Sequence, residues 1–178
     1  MTMAPASRPK QTREETLAIL KQHDLSISSG LVLLGVCGYY EDSMGVKGEN
    51  DQAMYDDALF AISMDRFASF NFNTDPQKAG HKLAKLDSGL YTFHKGLHKG
   101  KYKCLRPYPE DARWPCTRDG VKSMCGAIQI HMGGFNDTFS EGCQTIYKPQ
   151  YNEAMLQTIY PQMTKYGQSK VPYLLIEN

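Results

Sequence analysis

The sequence contains no apolar run near the roughly 20 residues needed to span a bilayer. Its longest, Leu31 to Cys37, is short and carries Gly35. The first residues, "MTMAPASRPKQTREE", lack the apolar stretch of a secretory signal, so the chain is expected to be made in the cytosol without an export signal of its own. Charge of one sign is lacking too. A formal charge of +1, with acidic and basic residues interspersed, provides no basic stripe for nucleic acid. None of the five cysteines forms a CxxC pair, which removes zinc knuckles and thioredoxin-like sites. One tryptophan is present, and no histidine follows Cys143.

What remains describes a globular chain. A length of 178 residues with 41% hydrophobic and 22% charged content suits one domain with a real core. Residues 1–10 read as a disordered leader and 11–178 as a single domain. The segment "TREETLAILKQH" predicts a helix, with Thr12 as its cap and Glu15 three residues on. Strands are expected in "SGLVLLGVCGYY", "ALFAISMDRFASFNFN", "KLDSGLYTFHKGLHKGKYKCLRPY" as strand, turn and strand, "SMCGAIQIHM" and "KVPYLLIEN". The polar "EDSMGVKGENDQAMYDD" reads as a long loop. A second helix should start near Pro149 to Asn152, kinked or ended by Pro161. The sum is a β-rich α+β domain, with a helix at the front and one late.

The informative stretch is "HMGGFNDTFSEGC", residues 131–143. A cysteine nucleophile needs a base for its proton, and imidazole supplies one. Cys143 follows His131 by twelve residues, an excursion that can return its ends to each other. Gly133, Gly134 and Gly142 permit sharp turns, Ser140 can hydrogen-bond the loop or a substrate, and N–H groups near Gly142 and Cys143 could face an oxyanion. In papain-like and NlpC-type hydrolases the nucleophile precedes the histidine. That order is unavailable to Cys143, so His131 is its candidate base.

"IHMGGFNDTFSEGCQTI" resembles the signature of the L,D-transpeptidase (YkuD-like) catalytic domain: a histidine at a strand end, a loop, then Ser/Thr-x-Gly-Cys. "LDSGLYTFHKG" is similar to the glycine-bearing strand that precedes the site in those enzymes. The resemblance implies that fold, with Cys143 attacking peptidoglycan stem peptides, His131 as base, and Ser140 and Gly142 shaping the nucleophile turn. It implies transpeptidase, carboxypeptidase or D-amino-acid exchange activity, with no metal or cofactor. Glu141 stands where the family has a second histidine, Gln144 and Thr145 where it has arginine or asparagine, and the His-to-Cys gap is short. The chain thus looks like a diverged branch, similar to phage or secreted-effector versions. Such a protein would act in the periplasm or cell wall after lysis or delivery, with secretion or virion machinery and an immunity protein as partners, and without nucleic acid or membrane. The competing reading is a non-catalytic wall-binding or virion structural module. A third is a cytosolic thiol hydrolase acting on a small amide.

Substrate contacts are expected from His98, Arg106, Gly133 and Gln144. His94 and His98 would bind zinc from a helix, but Gly96 and Gly100 argue for a strand, which places both on one side. His98 is favoured to orient His131 or touch substrate, against a solvated loop histidine. Arg106 could bind a stem carboxylate bidentately. The polar, basic patch around Lys95 to Lys103 reads as a solvated hairpin, or as a surface for an anionic polymer such as a wall glycan. Glu41, Asp42, Glu49 and Asp51 lack the alternation of a calcium loop, and Trp114 reads as an anchor on the core rather than a sugar platform. One or two disulfides among the first four cysteines are open in an oxidising compartment; in the cytosol all five would stay thiols.

Overall fold

The chain's apolar strands close on one another. In the computed structural model, which describes residues 3–77 and 83–178, β1 (Val32–Cys37), β2 (Asp57–Ile62) and β3 (Phe67–Asn73) run as an antiparallel series. After β4 (Lys85–Leu86) come the hairpin strands β5 (Gly89–His98) and β6 (Tyr102–Pro107), then a second hairpin, β7 (Arg113–Arg118) and β8 (Val121–Gly126). β9 (Ile130–Met132), β10 (Gln144–Ile146) and β11 (Lys170–Glu177) complete the set. Eight strands form a closed barrel in the order β1-β11-β5-β6-β9-β10-β3-β2, and β4-β7-β8 form a satellite sheet. With helices at both ends of the sequence, the domain is α+β and β-rich.

The continuous apolar run of β1 is explained by burial on both faces. Leu33 joins Leu59, Phe70, Phe72, Phe93 and Tyr173 inside the barrel. Val32, Leu34 and Val36 face outward and are covered by α1 (Arg13–Gln22), whose Leu20 is fully buried. The start of α1 is set by a capping box: Glu15 N donates to Thr12 Oγ1 at 3.2 Å and Thr12 N to Glu15 Oε2 at 2.6 Å. Such a cap contributes about 1 kcal/mol.

Three segments depart from expectation. Residues 3–10, expected as a leader without order, lie along the barrel: Pro9 is buried, Ser69 Oγ donates to Pro9 O at 2.8 Å, and Arg8 is ion-paired with Glu153. "SMCGAIQIHM" is two strands rather than one, because Ala127 takes a left-handed backbone (φ 57°) and passes the chain from the satellite sheet to the barrel. The late helix begins as a single 3-10 turn (Lys148–Gln150), continues as a π-helical stretch (Asn152–Ile159) and becomes α2 (Tyr160–Lys165). Tyr160 N still donates to Met155 O, five residues back. Pro161 has no N–H to continue that pattern, so it changes the winding without ending the helix.

Cys116 and Cys125 are joined by a disulfide across the β7–β8 hairpin, with Cα atoms 5.9 Å apart. A strut crosses the barrel interior: Tyr173 of β11 donates its hydroxyl to Gln144 Oε1 of β10 at 2.8 Å, and these strands lie diametrically opposite in the ring. Gly35 makes the room, since a Cβ there would collide with the Tyr173 hydroxyl. Among the described residues no helix is long and apolar enough to cross a membrane.

Candidate active site

β9 and β10 lie side by side in parallel, with His131 opposite Thr145 and Ile130 opposite Gln144. Side chains alternate across a sheet, so Ile130, Gln144 and Ile146 face the interior while His131 and Cys143 share the outer face. The segment between them is pinned at each step. Gly133 N donates to Ile146 O at 2.8 Å. The Tyr55 hydroxyl accepts from Gly134 N at 2.8 Å and donates to Asp137 O at 2.9 Å. Gln77 N donates to Ser140 O at 2.7 Å.

The turn into Cys143 depends on Ser140 and Gly142. Ser140 Oγ donates to Cys143 O at 2.6 Å and accepts from Gly142 N at 3.2 Å. Gly142 has φ +147°, and a Cβ there would lie 2.9 Å from Ala84 O. Ala84 N also donates to Glu141 O at 3.1 Å, so the chain entering β4 clamps the nucleophile turn from outside. The Gly142 N–H, expected to face an oxyanion, is taken up by Ser140.

His131 is 3% exposed. Its Nδ1 lies 2.8 Å from Met132 O, and a carbonyl only accepts, so Nδ1 carries the proton and Nε2 keeps its lone pair. The His98 ring stacks on it at 4.1 Å, held by Nδ1 donating to Gln129 Oε1 at 2.9 Å. The Tyr102 hydroxyl lies 3.3 Å from His131 Nδ1. Burial lowers the His131 pKa to about 4, against the Met132 carbonyl; His98 and Lys99 push the same way as burial. Burial raises the Cys143 thiol, helped by Glu141 and opposed by the Gln129 N–H and Lys99. At rest both groups are therefore neutral. Among the described residues no hydrogen bond joins Cys143 Sγ to His131; the thiol points at Ala127 O, 3.9 Å away.

Cys143, His131, His98 and Gly133 line one cleft of about 600 Å³, together with Lys99 and Lys148. Two expected contact residues lie elsewhere. Gln144 is fully buried in the barrel between Tyr173 and the Thr74 carbonyl, to which its Nε2 donates at 3.2 Å. Arg106 is absent from the cleft lining and forks onto Glu110 at 2.8 and 3.0 Å, and His94 Nε2 reaches the same carboxylate at 2.8 Å. Trp114 sits in β7 against Tyr91 and Phe93, at 4.8 and 5.1 Å between ring centres. Asp51 accepts from the Val46 N–H in its own loop at 2.8 Å.

Sequence reasoning passed over Tyr102 and Gln129, which hold the two imidazoles, and over Tyr55. The even spacing of Tyr102 from Cys104 and of Gln129 from His131 was the available signal. It also passed over a cluster at one end of the barrel, where ligating atoms of Cys37, Asp57 and Asp75 lie within 4.8 Å of one another. Asp57 accepts from Gly38 N at 2.6 Å and Thr74 N at 2.5 Å, and Lys85 Nζ pairs with Asp75 at 3.3 Å. An ammonium thus supplies the positive charge there. Comparison with protein-family models, curated proteins and solved structures finds no significant match for the chain.

Proposed function

We propose that the protein is a cysteine-dependent acyltransferase or peptidase acting on peptidoglycan stem peptides, a diverged relative of L,D-transpeptidases. The observation that carries this reading is the shared cleft: a free thiol and an imidazole with a free Nε2 stand on the same face of adjacent parallel strands. The Ser140–Gly142 turn and the stacked His98 hold that pair in place.

A neutral thiol and a neutral imidazole imply proton transfer during attack, not a preformed thiolate. As Cys143 Sγ bonds to the stem carbonyl carbon, His131 Nε2 takes the thiol proton and the carbonyl becomes an oxyanion. With Gly142 N–H bound to Ser140, the Cys143 N–H is the nearby backbone donor for it. Collapse expels the amine, which receives the proton from His131 and leaves a thioester on Cys143. An incoming amine or water then attacks that thioester, giving up its proton to His131 and restoring the thiol. Amine capture gives a cross-link or residue exchange; water gives carboxypeptidase activity. Because His131 titrates near 4, the acid limb of kcat/KM falls near pH 4 and not at the usual imidazole value.

The Cys116–Cys125 bridge supports an oxidising place of action, which agrees with delivery to the cell wall as an effector or phage protein. The competing module reading draws on the missing Cys143–His131 hydrogen bond. Mass spectrometry of muropeptides incubated with the protein and with Cys143→Ala separates them. Loss or exchange of one D-alanine, or a new cross-link, absent in the variant, establishes acyl transfer. Unchanged masses with sacculus binding retained in both proteins would leave a binding module.

A further inference from the structure

Three lysines converge on the cleft. Lys99, Lys101 and Lys148 line it, against Glu141 as the one lining carboxylate among the described residues. Among the described residues no ion pair takes up Lys99 or Lys101, and Lys148 Nζ lies 4.9 Å from the centre of the Phe135 ring. A concave site with unpaired charge of one sign concentrates field toward an oppositely charged ligand.

Lys99 carries a second signal. It and Gly100 are the central residues of the β5–β6 hairpin, with φ 49° and 69°, and Lys101 N donates to His98 O at 2.9 Å across the turn. Two successive positive φ values at the centre of a four-residue turn favour Asn-Gly, and here the turn His98–Lys101 sits in a three-residue loop between the paired His98 and Tyr102. Lysine there carries a backbone cost of about 1 kcal/mol, which nothing in the packing of this exposed turn explains. The same turn follows directly on His98, so the Lys99 ammonium rises from the wall that supports His131.

We propose that the cleft recognises its peptide through a free carboxylate, with Lys99 as the specificity-determining residue and Lys101 and Lys148 completing the cationic rim. This rests on the acyl-transfer reading for its choice of peptide. The carboxylate belongs either to the side chain of the stem's diamino acid or to the stem's C-terminus; the chemistry is shared, and the two are separable by amidating each in turn.

The test is calorimetric binding of three disaccharide tetrapeptides to Cys143→Ala protein: unmodified, amidated at the diamino-acid side chain, and amidated at the C-terminus. Amidating the recognised carboxylate is expected to weaken binding roughly fivefold, the upper end for a partly exposed ion pair. Adding Lys99→Asn, which suits the turn and keeps the fold, should bring the ratio close to one, whereas Lys99→Arg should preserve it. A purely structural role for Lys99 would shift all three affinities together. Equal affinity for all three peptides overturns the proposal. So does a ratio that survives Lys99→Asn. Turnover of the same peptides by protein with Cys143 intact tests acyl transfer separately: turnover with indiscriminate binding sinks only the carboxylate proposal, and discrimination without turnover sinks only the enzyme.

Discussion

Replacing His131 by glutamine should change how stability responds to acid, and the size of the effect follows from burial. The imidazole is 3% exposed, stacked on His98, and held neutral with its pKa lowered from 6.5 to about 4. Between those values the unfolded chain binds a proton at this position that the folded one refuses. Stability therefore falls as pH drops from 6.5 toward 4. The gap is worth about 3 kcal/mol by pH 4, at 1.36 kcal/mol per pH unit. The whole protein will not display that slope alone. Asp56 is pushed up to about 7, chiefly by burial, so its folded form holds a proton that the unfolded chain releases above 3.8. It stabilises on acidification, with the opposite sign. The useful quantity is the difference between wild type and His131→Gln, in which Asp56 cancels. Urea unfolding of both proteins at pH 7 and pH 4 should show their stability difference moving by about 3 kcal/mol, with wild type losing ground in acid. A shift under about 0.5 kcal/mol would mean that water reaches the ring, and the low pH limb of activity would then move up toward 6.5.

Three further outcomes follow from the same geometry. Iodoacetamide should label Cys143 more slowly at pH 7 than it labels free cysteine, with the rate still climbing at alkaline pH after free cysteine has levelled off, since burial raises the thiol; rapid labelling at pH 6 would reveal a thiolate and contradict the neutral pair. Gly142→Ala should cost about 1 to 3 kcal/mol and activity with it, because φ +147° is strained for alanine and its Cβ would crowd Ala84 O; an unchanged thermal midpoint would show that the turn yields freely. Replacing Cys116 and Cys125 by serine should cost about 2.5 kcal/mol, the loop-closure entropy for their separation of 9, and equal urea midpoints for the two proteins would argue that the hairpin holds itself.

What could be read in advance was local. Thr12 and Glu15 announce the helix start because a capping box closes within three residues. Strands such as Val32–Cys37 were legible as apolar runs bounded by glycines. Cys143 and His131 were legible as a pair because both sit at the ends of one glycine-rich excursion. Closure of the barrel was not, since β11 pairs with β1 across most of the chain and no short window encodes that partner. The interior destination of Gln144 was hidden for a related reason. Cys143 faces the cleft, its neighbour faces inward, and the parity emerges only once β10 is placed against β9. The ion pair of Arg106 was not legible because its partner, Glu110, lies in the loop beyond the strand end and returns to meet it. Lys99 looked like one cation in a basic hairpin until its backbone angle set it apart.

The strut from Tyr173 to Gln144 makes the nucleophile answerable to the far wall. Gln144 immediately follows Cys143, and its side chain is tethered to a ring that enters from the opposite strand, in space left open by Gly35. A methyl group added at Gly35 would press on that ring, and the ring on the residue beside the thiol. Damage inflicted on one side of the lumen would thus surface as a defect on the other, with every cleft-facing side chain intact. A mutational screen confined to positions around the cleft would miss this lever; one that samples Gly35 of β1 would find it.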